Sequence, residues 1–89
     1  MRSKKIKITN KLGLHARPSA KVTQIAGKFE SEVWLSKKGQ RVNAKSIMGV
    51  MMLAAAKGEE VLLETKGKDE DDALVSLATL IENRFEENE

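Results

Sequence analysis

The only proline of the chain, Pro18, lies shortly after its only histidine, His15, where an alternating segment gives way to a helical one. Proline fits the first turn of a helix because the N–H it lacks would have no intrahelical partner there, so Pro18 marks a helix start. His15 then falls at or just before the N-cap. The first-turn N–H groups of Ala16 and Arg17 have no acceptor in the helix, the macrodipole puts partial positive charge at that end, and the Arg17 guanidinium adds a full charge. Such a place suits an anion.

Periodicity on either side sets the rest of the order. Ile6 and Ile8 alternate with Lys5, Lys7 and Thr9, which predicts a strand with one buried face. From Pro18 onward Val22, Ile25, Ala26 and Phe29 keep helical spacing, and Gly27 weakens the last turn. Val33 and Leu35 alternate with Glu32, Trp34 and Ser36, and Lys37-Lys38-Gly39-Gln40 turns the chain back into Arg41-Val42-Asn43 as a hairpin. Ser46 is a good N-cap for a short helix from Ile47 through Leu53, with Lys57-Gly58 as its stop. Val61, Leu62 and Leu63 form the most apolar strand and so belong inside the sheet. Asp69 is placed to cap a last helix whose face is Ala73, Leu74, Leu77, Ala78 and Ile81, and the charged tail after Phe85 is expected to fray. The order is βαββαβα. It predicts an α+β fold with three helices on one face of a four-stranded sheet, Trp34 on the open face, and Phe29 and Phe85 as packing residues.

A chain of 89 residues is expected to form a single domain over 1–89. It has no cysteine and one histidine, so disulfides and zinc are not expected, and no metal or cofactor is assigned. Charge fills the N-terminal segment Met1-Arg2-Ser3-Lys4-Lys5, where a signal peptide needs apolar residues. The apolar run Ile47–Ala56 is about half the roughly 20 residues that span a bilayer. A cytoplasmic location without membrane insertion is therefore expected. The net charge of +3 favours acidic partners without requiring nucleic acid.

A neutral imidazole is a good nucleophile, and the N–H groups and guanidinium around His15 would hold the oxygens of a transferred phosphoryl group. Acyl transfer lacks a second histidine, a cysteine, or a serine with an evident general base. No phosphate-cradling glycine loop followed by Lys-Ser/Thr is present, so the phosphoryl donor should be another protein. Gly13-Leu14-His15-Ala16-Arg17-Pro18, with Val42-Asn43-Ala44-Lys45-Ser46-Ile47-Met48-Gly49-Val50-Met51 downstream, closely resembles HPr, the histidine-containing phosphocarrier family of the bacterial phosphoenolpyruvate-dependent phosphotransferase system. The resemblance runs from the first strand to the last helix. It implies an open-faced β-sandwich with an antiparallel sheet in the order 1-4-2-3. It also implies that His15 accepts a phosphoryl group on Nδ1 from phosphorylated Enzyme I and passes it to enzyme II A components, for sugar uptake or a regulatory relay, with Arg17 steadying the group.

The resemblance assigns Ser46 a second role beside capping, as the site at which an HPr kinase/phosphorylase acts in carbon catabolite regulation. A phosphate there would place about two negative charges beside a partner surface and repel it. Ile47, Met48, Met51 and Met52 surround part of one short helix and cannot all face the core. One or two should fill it, with Val50 and Leu53, and the rest should be exposed. Adaptable thioethers suit a protein that docks on several partners. By resemblance, Ile47, Met48 and Met51 line that docking surface, with Arg17, Lys21 and Lys45 as a basic rim, and the protein acts as a monomer. Ser19 stands where many relatives carry alanine, either adding a hydroxyl near the phosphate or facing solvent. His15 excludes a catabolite-repression paralogue that has lost the phosphocarrier histidine. Two other classes are a nucleic-acid-binding domain using Lys4, Lys5, Lys7, Lys37, Lys38 and Arg41, and an interaction module without chemistry. Three aromatic residues give the first no stacking platform.

Overall fold

The computed structural model describes residues 1–86. Its elements are β1 (Arg2–Lys7), α1 (Ala16–Ala26), β2 (Glu32–Lys37), β3 (Gln40–Asn43), α2 (Ile47–Met52), β4 (Glu60–Lys66) and α3 (Glu70–Glu82), followed by a single 3-10 turn at Arg84–Glu86. The strands form one antiparallel sheet in the order β1-β4-β2-β3. Residues 87–89, most of the tail expected to fray, lie outside the described residues. No helix among the described residues is long and apolar enough to cross a membrane.

The register explains the two faces. Ile6 lies opposite Val61, Leu63 opposite Leu35, and Leu35 opposite Val42, so apolar side chains from all four strands share the face beneath the helices. Ile6, Ile8, Val33, Leu35, Val61 and Leu63 are all buried, as alternation predicts. The interior position of β4 also follows its composition, since both of its edges are paired. On edge strand β1 the same inner row continues as Arg2 and Lys4, which reach Asp71 at 3.3 Å and Glu82 at 3.1 Å on α3. Charge on an exposed edge discourages pairing with other chains. The β2–β3 hairpin turns through Lys38 and Gly39, with φ of 50° and 84°. Positive φ at both turn residues matches the twist of a two-residue hairpin. On the open face Arg41 stacks 3.8 Å from the Trp34 ring centroid and reaches Glu64 at 3.3 Å.

Three expectations are corrected. Helix α2 ends at Met52 rather than near Lys57, because Ala54 takes a φ of 50° and the Ala55 carbonyl accepts the Leu14 N–H at 2.9 Å. None of Ile47, Met48, Met51 and Met52 fills the core. Their exposures are 42%, 69%, 38% and 67%, while Val50 and Leu53 turn inward. Within the six-residue helix only Val50 is buried, and Leu53 follows it inward from the C-cap position. Asp69 occupies the N-cap position of α3 but does not cap it with its side chain. Its carboxylate instead accepts the N–H groups of Glu30 at 3.0 Å and Ser31 at 2.9 Å, together with the Ser31 hydroxyl. The two segments pass close together: a Cβ on Gly67 would lie 2.8 Å from the Ser31 Cα. Glu70 in turn accepts the Gly67 N–H at 3.0 Å, in the loop before the helix.

Candidate functional site

The loop between β1 and α1 is built to deliver His15. The buried Asn10 side chain donates to the Gly13 carbonyl at 2.8 Å, and the Gly13 N–H donates back to the Asn10 carbonyl at 3.3 Å. Gly13 has a φ of +65°, and a Cβ there would stand 2.3 Å from the Ala55 carbonyl oxygen. Only glycine meets both demands. Leu14 is buried next to it, and Ser19 Oγ donates to the Leu14 carbonyl at 3.3 Å. Ser19 is fully buried, so its hydroxyl neither joins the phosphate side nor faces solvent; it braces the loop from inside.

His15 is the N-cap residue of α1, with φ −80° and ψ −172°. Its carbonyl accepts the Ser19 N–H at 3.0 Å, which closes the first helical turn. The imidazole does not cap the helix. Pro18, at the third helical position and buried, removes one of the N–H groups that a cap would normally serve. The amides of Ala16 and Arg17 remain at the positive end of an eleven-residue helix, with exposed Arg17 beside them. The ring is half-buried, and its Nε2 atom is shut off from solvent.

His15 opens onto a shallow depression of about 350 Å³ lined by Leu12, Leu14, Met51, Ala54, Ala55 and Ala56. Its far wall is held by Glu59, whose carboxylate accepts the Ala56 N–H at 2.7 Å and the Lys37 ammonium at 3.3 Å. The Ala56 N–H, then the Lys37 hydrogen bond and charge, hold that carboxyl below its ordinary value against the cost of desolvation. Met51 is thus brought to His15. Ile47 and Met48 are exposed on α2 outside this lining. The Ser46 side chain is exposed at the head of α2, where its Oγ accepts the Gly49 N–H at 3.1 Å. Lys45 and Lys21, expected at a basic rim, each bond a carbonyl of their own chain: Phe29 at 2.8 Å and Phe85 at 2.6 Å.

Leu12, 68% exposed, and Ala54–Ala56 were missed by the sequence reading. Leu12 follows a lysine in an irregular loop, where no periodicity marks which side chains share a surface. Asn10 carried no signal beyond its preference for turns. Four of the six cations named for nucleic-acid binding, Lys4, Lys37, Lys38 and Arg41, stand within 3.1–3.7 Å of carboxylates. That mixture of signs is unlike a basic stripe for phosphates.

Comparison with known proteins agrees with this geometry. The family described as PTS HPr component phosphorylation site matches residues 2–83. The phosphocarrier protein HPr of Cupriavidus necator is 62% identical over 82 residues, covering 92% of each chain. The crystal structure of HPr-C-His from Thermoanaerobacter tengcongensis superposes with a TM-score of 0.96 at 47% identity, covering 100% of both chains. Crh, the Bacillus subtilis catabolite repression containing protein, described as a swapped dimer, matches at a TM-score of 0.77 and 46% identity over 94% of this chain and 97% of its own.

Proposed function

Because the chain belongs to the HPr family of the phosphotransferase system, in which it serves as a phosphocarrier, we propose that its phosphoryl group rides on Nδ1 of His15. The observation that carries this reading is the uncapped head of α1, with Nε2 of the neighbouring imidazole turned away from solvent. The Nδ1 lone pair attacks the phosphorus of phosphorylated Enzyme I. The bond to the donor breaks and its electron pair returns to the donor as the bond to His15 forms. The N–H groups of Ala16 and Arg17 and the Arg17 guanidinium donate hydrogen bonds to the phosphoryl oxygens. Few fixed cations surround the group, so it can leave for an enzyme II A component in the reverse sense.

The same reading makes residues 1–89 one cytoplasmic domain acting as a monomer. Partners sit on Met51, Ile47 and Met48, with Lys21 and Lys45 contributing through their stems and their charge. Ser46 is assigned as a regulatory phosphorylation site for an HPr kinase/phosphorylase; its exposure supports this. Incubation with Enzyme I and phosphoenolpyruvate should yield an acid-labile phosphohistidine by phosphorus NMR. The signal should vanish in His15→Ala and form about ten- to a hundredfold more slowly in Arg17→Ala. An adduct that persists without His15 would refute the assignment.

A further inference from the structure

The alanine turn that follows α2 forms one wall of the depression at His15, yet its own side chains cannot hold it. Ala54, Ala55 and Ala56 offer no polar group beyond the backbone, and only Ala55 is buried. Ala54 takes a φ of 50°, a left-handed conformation that costs free energy for residues other than glycine. Such a segment keeps one shape only where groups from elsewhere fix its amides and carbonyls.

Two side chains rooted in the sheet do so. Lys37 stands at the end of β2, and its ammonium donates to the Ala54 carbonyl at 3.3 Å. Glu59 stands just before β4, where its carbonyl accepts the Ile8 N–H at 2.8 Å. One oxygen of the Glu59 carboxylate, Oε1, accepts both the Ala56 N–H at 2.7 Å and the Lys37 ammonium at 3.3 Å. The Glu59 N–H donates back to the Ala56 carbonyl at 3.0 Å. A single half-buried ion pair therefore grips both ends of the turn, Ala54 through its cation and Ala56 through its anion. Hydrogen bonds to charged groups are the stronger kind, so the grip is firmer than an exposed ion pair would give. Between the two gripped ends the Ala55 carbonyl accepts the N–H of Leu14, the residue ahead of His15, at 2.9 Å.

We propose that Lys37 and Glu59 are positioning residues for phosphoryl transfer, holding the alanine turn in the one shape on which a partner's surface closes over His15. The proposal rests on the phosphocarrier reading of His15. The reacting ring is placed by α1, whose first turn closes from the Ser19 N–H to the His15 carbonyl at 3.0 Å, so loss of the clasp leaves the chemical step intact. What it adds is the entropy of ordering the turn at each docking event. The effect therefore falls on KM rather than kcat.

The test uses near-isosteric changes in the full chain, at a temperature where circular dichroism shows each variant fully folded. Lys37→Met keeps the stem and removes the ammonium, Glu59→Gln keeps an oxygen for the Ala56 N–H and removes the charge, and Glu59→Ala removes both. Lys37→Met and Glu59→Ala should raise the KM for transfer from phosphorylated Enzyme I about three- to tenfold, with kcat within about twofold. Glu59→Gln should recover part of that loss. Exposed Lys38 lies 3.7 Å from the other oxygen of Glu59, and Lys38→Met should leave KM unchanged. Amide hydrogen exchange at Leu14 should quicken in Lys37→Met and Glu59→Ala relative to exchange in β4. An unaltered KM, a loss confined to kcat, an equal loss in Lys38→Met, or Leu14 exchange that changes only in step with β4 would overturn the proposal. So would a Glu59→Gln variant as impaired as Glu59→Ala. Failure of the phosphocarrier reading would be seen separately, as no phosphoryl group on the wild type, and exchange at Leu14 would still decide whether the clasp holds the turn.

Discussion

Helices α1 and α2 pack against each other, yet their first turns are treated in opposite ways. At the head of α2 a serine hydroxyl accepts the Gly49 N–H, filling the place where an anion would sit. At the head of α1 the N-cap side chain is an imidazole that does not cap, and a proline has deleted one of the amides to be served. The first arrangement stabilises a helix too short to persist alone. The second gives up that gain and leaves two amides and a guanidinium at the positive end, where the proposed phosphoryl group would sit. A helix terminus can serve as a structural end or as a site, and the N-cap residue decides which.

Making α1 resemble α2 tests this most severely. His15→Ser should abolish phosphoryl acceptance while stabilising the fold by about 0.5–1 kcal/mol through a new cap; urea denaturation and phosphorus NMR on one sample read both effects. A variant that is inactive but no more stable would mean the open helix end carries no cost. Next in size is Gly13→Ala, which leaves the α1 terminus itself intact but drives a Cβ into the Ala55 carbonyl at 2.3 Å. It should cost about 2–4 kcal/mol by chemical denaturation. A smaller loss would show that the loop yields and that its fit does not position His15. Ser46→Ala should cost about 1 kcal/mol and leave acceptance at His15 unchanged; a parallel loss of phosphorylation would couple the two helix heads.

The smallest effect concerns the third helix head. The Ser31 hydroxyl, then the Glu30 N–H, hold the Asp69 carboxyl down to about 2 from an ordinary 3.8. A carboxyl lowered in the folded state contributes stability above its unfolded value and loses it as pH falls through the folded value. The unfolding temperature should therefore drop between pH about 4 and about 2, and Asp69→Asn should flatten that part of the profile. An unchanged slope would show that Asp69 matters less than the ladders around it.

Much of the fold was legible because its signals are short-range. Two-residue alternation marked Ile6 and Ile8, Val33 and Leu35, and Val61 and Leu63 for one face, and a Lys-Gly pair marked the hairpin. The head of α1 was legible for the same reason: proline and an uncapped terminus act over one turn. Two basic rim residues were not, since whether an ammonium faces solvent or finds a carbonyl depends on chain that returns much later, as Phe85 does to Lys21. The length of α2 was misread because three alanines permit either helix or turn.

What the sequence alone determined, then, is the order of elements, the buried rows and the residue at which a helix opens onto a histidine. All of these follow from propensities and periods acting over a few positions. What only the tertiary structure decided is where separate segments meet: Leu14 with Ala55, Asp69 with Ser31, and Lys21 with Phe85. Those meetings ended α2, diverted a cap and tied Lys21 to the far end of the chain, because hydrogen-bonding groups enclosed by packing take the partners that the fold places beside them rather than those nearest in the chain.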